Sequence, residues 1–321
     1  MGIAAPLRLL LILVAAVILV VRRLRPGRRM TLTVGPNQHP GVVTVARHTR
    51  VFRLLGALAG LLAAVALAMA GDAWLGRVML LAPMAVGAGA LLGVIVGEWT
   101  ARSPLPLART ASLRRRTLGA VLPRSSAVQL GVGVVGVVAV LITGSLMASP
   151  DDLGRPGRAL TRVCTAVQDG QIVELASSRG PWPGSYYTIP AALAVLVVLV
   201  LATVAARVVV GRRRPSAEDA ALDDQLRRWS VMSVAAATGV TLRLTAAPLA
   251  LAMAMILFQN VRFGDCRYAW DRPLSWVLLG LAGYWLVTGL TALVELFVGP
   301  RIVIDEQSRP TPPAESSVPV R

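Results

Sequence analysis

Four charged residues stand in or at the ends of otherwise apolar runs: Glu98, Arg207, Arg243 and Glu295. In lipid such groups mark ion or proton paths by default, or else they pair with one another, because an isolated charge there is costly. Arg243 at first looks like a mid-membrane charge. A hydrocarbon core of ~30 Å takes about 20 helical residues, and that count taken back from polar Asn260 ends at Thr241, which puts Arg243 at one boundary. The same count brings Arg207, Glu295 and Glu98 to that boundary. The expectation is a single charge layer in which at least one of Glu98 and Glu295 lies within salt-bridge reach of Arg207 or Arg243.

Other reactive side chains are few. Cys164 and Cys266 are the only cysteines, and His39 and His48 the only histidines. No cysteine or carboxylate accompanies the histidine pair, so these read as solvated loop residues and not as metal ligands. All 33 basic side chains are arginine. The absence of lysine excludes Schiff-base chemistry and a phosphate-loop lysine. No histidine accompanies an outer Ser or Cys, no HExxH motif occurs, and no span holds two acids. The sequence therefore offers no catalytic residue, no metal site and no cofactor, and it reads as a non-enzyme.

Apolar residues make up 55% of the chain and charged ones 15%, and several apolar runs reach spanning length. These runs predict an all-α integral membrane bundle of seven transmembrane helices. Sidedness follows from arginine. Residues 22–53 carry Arg22, Arg23, Arg25, Arg28, Arg29, Arg47, Arg50 and Arg53 and no acid, the mark of a cytoplasmic loop. The N-terminus is then outside and the C-terminus cytoplasmic. The division is a first anchor over 1–21, a basic loop over 22–53, a hairpin of spans over 54–97 and a second basic loop over 98–126. A second hairpin over 127–210 holds an outer loop at 149–188. An interfacial helix over 211–243, a third hairpin over 244–297 and a disordered tail over 298–321 complete it. Of the 33 arginines, 22 fall inside and 9 outside. Both cysteines come out on the outer face, the compartment where disulfides persist, so Cys164 and Cys266 are expected to be bonded.

Within that frame, Gly89, Gly93 and Gly97 recur four apart, and Gly56 and Gly60 repeat the spacing one helix earlier. Small residues at this period let two backbones touch, which predicts a packing surface. Residues 30–34 and 42–45 predict a small β-hairpin. Asp223 with Arg227 and Asp224 with Arg228 are i,i+4 pairs that support a helix behind a Ser216 cap. Trp182, Tyr186 and Tyr187 are expected in an outer headgroup belt.

The run Arg109-Thr-Ala-Ser-Leu-Arg-Arg-Arg-Thr-Leu-Gly-Ala-Val-Leu-Pro123 after Glu98, with Ala220-Ala-Leu-Asp-Asp-Gln-Leu-Arg-Arg-Trp229, resembles a family of uncharacterised multi-pass membrane proteins of high-GC Gram-positive bacteria. The resemblance implies a plasma-membrane protein and no known activity. With the residue reading it suits a non-enzymatic accessory or scaffold subunit of a transport or envelope system. A small-solute transporter or channel, with a path lined by Gly89, Gly93 and a rim of Glu98 and Arg243, and an intramembrane lipid-linked transferase stand as alternatives. The expected partners are a bilayer with an anionic inner leaflet and a protein on the cytoplasmic face, and no nucleic acid.

Overall fold

The computed structural model describes residues 31–34, 40–70, 75–101, 118–212, 220–263, 266, 268–297 and 301–304. The chain is mostly helical. Its elements are β1 (Thr31–Val34), α1 (Pro40–Met69), a 3-10 turn (Met79–Leu81), α2 (Ala82–Thr100), α3 (Leu118–Val121) and α4 (Arg124–Leu146). They continue with β2 (Leu160–Gln168), β3 (Gln171–Arg179), α5 (Ser185–Gly211), α6 (Ala220–Phe263), α7 (Asp271–Phe297) and β4 (Arg301–Ile304). Among the described residues six helices are long and apolar enough to cross a membrane. The seventh expected span, residues 4–21, lies outside the described residues, as do His39, Ser216 and the tail beyond Ile304.

Helix α6 is the post of the bundle. Of its most apolar stretch 72% is buried, against 22–39% in the other five helices. With 44 residues it is about 66 Å long, roughly twice a ~30 Å core. The interfacial helix and the span expected on either side of residue 243 are this one unbroken helix. Pro248 lies inside it at an exposed position.

The α1–α2 hairpin is closed on its glycines. A Cβ at Gly56 would stand 2.8 Å from Gly93 Cα, and one at Gly89 would stand 2.8 Å from Gly60 Cα. No side chain fits between the backbones, so the contact forms only because these positions are bare. On its other face α2 backs onto α6, with Gly87 against Ala237 and Thr241.

Two short β-elements differ from expectation. Residues 30–34 do not pair with 42–45, because Val42 to Val45 already belong to α1. Instead β1 pairs in parallel with β4, Thr31 opposite Arg301 through Val34 opposite Ile304, so the start of the expected tail is a strand. Within the outer loop β2 and β3 form a hairpin of nine residue pairs around Asp169 and Gly170. Both turn residues have positive φ, 51° and 78°, the conformation that Asp-Gly supplies most readily.

Cys164 on β2 and Cys266 after α6 are disulfide-bonded, with Cα atoms 5.4 Å apart. Trp182 is not in a headgroup belt. It is fully buried and donates its indole N–H to the Gly144 carbonyl at 2.9 Å. Tyr187 is buried too, its hydroxyl donating to the Leu75 carbonyl at 3.0 Å. Among the described residues the exposed aromatic rings include Tyr268, Trp270 and Trp276 near the hairpin, Tyr284 further along α7, and Trp99 and Phe297 at the opposite end.

Two measurements check this packing. Gly89→Leu should cost about 3 kcal/mol or more, since overpacking here meets backbone, whereas Gly280→Leu, at a site with open space, should leave thermal unfolding in detergent unchanged. Alkylation of the unreduced, denatured protein should find no free thiol, and Cys164→Ser should lower stability by about 2–4 kcal/mol.

Candidate functional site

At the end of the bundle away from the hairpin, α1, α2, α5 and α6 bring five charged side chains together. Glu98, near the end of α2, is buried. Its Oε1 accepts a hydrogen bond from Ser230 Oγ at 2.7 Å, and its Oε2 lies 3.0 Å from Arg212 Nη1. The other arm of Arg212 reaches Asp223 Oδ1 at 2.8 Å. Arg227 holds the second oxygen of Asp223 at 2.8 Å and also donates to the carbonyls of Val210 and Arg212, at 2.9 and 2.6 Å.

Each bond has a local cause. Arg212 follows the last turn of α5, where a cation is favoured beside unpaired carbonyls, and Arg227 satisfies two groups of that region. Asp223 and Arg227 are one helical turn apart, which is the i,i+4 pairing expected from the sequence. Burial alone would lower the pKa of Arg212, but Glu98 and Asp223 outweigh it and raise the guanidinium above its usual value.

Arg53 of α1 completes the cluster. Its guanidinium lies over the Trp229 ring, 4.1 Å from the centroid, and Nη1 donates to Ser233 Oγ. Thr49, one turn earlier, is buried with its hydroxyl donating back to the Val45 carbonyl at 3.0 Å. A small cavity between these residues is lined by Thr49, Arg53, Val94, Glu98, Trp229, Ser230 and Ser233.

The four residues expected in one layer are distributed differently. Glu98 pairs with Arg212, a residue the length count had placed beyond the boundary. Arg207 and Glu295 are exposed. Arg243 is buried, and its Nη1 and Nη2 each donate to a backbone carbonyl at 3.3 Å, those of Thr288 and Gln129. Glu295 acts on it electrostatically. Depth explains the split. Gly87 meets Thr241 and Glu98 meets Ser230, so α2 and α6 run antiparallel in register, and Arg243 stands 13 positions past Ser230, roughly 20 Å along the axis. Counting from Asn260 misjudged this because α6 extends beyond α2 at the hairpin end.

A second buried ionic site lies at that end. Arg162 on β2 reaches Asp271 Oδ1 at 2.9 Å, and the carboxylate is fully buried. Asn260 donates to Asp271 Oδ2 at 3.1 Å and to the Cys266 carbonyl at 3.2 Å. The rings of Tyr268 and Trp270 both lie 4.7 Å from the Arg162 guanidinium. This cluster was missed because its members sit in three separate segments that only the disulfide and hairpin bring together.

His48 Nε2 lies 2.8 Å from Thr100 Oγ1, and among the described residues no group of three His, Cys, Asp or Glu could hold a metal ion. Each ionic site holds α6 to its neighbours, the first through Arg212 and Glu98 and the second through Asn260. Breaking one partner of the first should show this. Asp223→Asn is expected to cost about 3–5 kcal/mol, as the removal of one member of a buried pair does. Arg207→Gln, at an exposed position, should stay within about 0.5 kcal/mol by thermal unfolding. The chain matches no known family model, no curated protein and no solved structure.

Proposed function

We propose that this protein is a non-enzymatic membrane scaffold, an accessory subunit that holds a fixed arrangement of helices for a transport or envelope assembly. It crosses the plasma membrane seven times, with the arginine-rich end of the bundle in the cytoplasm and the disulfide-bonded hairpin outside. The observation that carries the proposal is the closure of α1 on α2. A solute path along Gly89 and Gly93 would need the space that the backbone of α1 fills at Gly56 and Gly60, and lining a path with them would require the hairpin to separate. The ion pairs at both ends of α6 support the same role, since they resist sliding of the post against its neighbours.

Sidedness rests on charge. Arg47, Arg50 and Arg228 are exposed at the end that carries Glu98 and Arg212, where anionic lipid of the inner leaflet attracts them. Trp99 is exposed at that same end, and Trp270 and Trp276 at the other, positions that suit two interfacial belts.

Purification from native membranes in a mild detergent tests the proposal. A protein partner in fixed stoichiometry is expected, retained through the cytoplasmic end and lost when Arg47, Arg50 and Arg228 are replaced together by Gln. Solute flux through the purified chain in proteoliposomes, without a partner, would overturn the scaffold role.

A further inference from the structure

Arg53 is the one member of the first ionic cluster without a carboxylate. Arg212 and Arg227 neutralise Glu98 and Asp223, which leaves one positive charge over among these five side chains, on a guanidinium only 1% exposed. Neighbouring Arg50 is also positive, so α1 offers no compensation. A buried cation without a counter-charge is costly, on the order of several kcal/mol.

Its hydrogen bonding is incomplete in a specific way. Nη1 is used on Ser233, while Nε and Nη2 have no partner among the described residues. These two N–H groups share one edge of the planar guanidinium, the fork with which arginine grips anions. Trp229 stacked on the face holds the plane in place.

The cavity that Arg53 lines, together with the Glu98 carboxylate that Arg212 neutralises, has a volume of about 10 Å³, room for about one water or one single-atom ion. The surrounding hydroxyls have spent their protons, Ser230 on Glu98, Ser233 on the Trp229 carbonyl and Thr49 on the Val45 carbonyl. Among the described residues the buried side-chain donors of this lining left without a partner are Arg53 Nε and Nη2. We infer that the Arg53 cavity binds a monatomic anion, a halide and so chloride in the cell, held by Nε and Nη2 between α1, α2 and α6. Phosphates and carboxylates carry the right charge but need more room than this.

The purified full chain in detergent tests this by thermal unfolding in sodium chloride against sodium gluconate at equal ionic strength. Chloride and bromide should each raise the midpoint by about 2–4 °C at roughly ten times the Kd, and the rise should saturate. Arg53→Met should abolish the difference. If that variant does not fold, Val94→Leu, which fills the cavity and leaves every charge in place, should abolish it as well. Equal unfolding in chloride and gluconate would mean that water fills the cavity and would overturn the site. So would a chloride effect that survives Val94→Leu, or stabilisation by a short-chain anionic phospholipid and not by halide.

Discussion

Charges buried among apolar helices must meet opposite charges or lie bare, and the second state costs several kcal/mol per ion. That constraint governs the end of this bundle where α2, α5 and α6 converge. Glu98 comes from one helix, Arg212 from the end of another, Asp223 and Arg227 from a third. Each helix therefore depends on the others for its position, and a rotation of any one by a single residue would strand a charge.

The same logic recurs along α6 in a different chemical form. At the hairpin end the anchor is again an ion pair, Arg162 with Asp271, between a strand and the start of α7. In between, Arg243 has no carboxylate in hydrogen-bonding contact among the described residues and uses the carbonyl oxygens of two neighbouring helices. Carbonyl dipoles satisfy donors without bringing a second charge into the apolar layer. Glycines serve the remaining interfaces, where nothing polar is needed and the gain comes from backbone contact. Three kinds of contact thus share one helix, and each suits the polarity of its surroundings.

How much of this was legible in the sequence varies with the range of the interaction. The spans were readable because length and hydropathy are local, and so were the glycine contacts, whose four-residue period points to one face. The Asp223–Arg227 pair is one helical turn and needed no tertiary knowledge. The cysteine pair followed from sidedness alone. What failed was depth. Assigning Arg243 to the level of Glu98 assumed that all helices begin and end in one plane, and α6 does not. The hairpin around Asp169 and Gly170 carries its signal openly, in a turn dipeptide between strand-like runs. The pairing of β1 with β4 had no such signal, since nothing in four residues names a partner on the far side of six helices.

That last pairing has a consequence for how the chain is made. Parallel partners cannot be joined by a tight turn, and here the entire bundle is the crossover between them. Translation at about 5–20 residues per second separates the emergence of β1 from that of β4 by roughly 15–50 s. Throughout that interval the first strand has open hydrogen-bonding edges, the kind that other chains can capture. A ribosome that stops before α7 releases a protein in which β1 never meets β4, so the small sheet marks a polypeptide that has been synthesised through that helix.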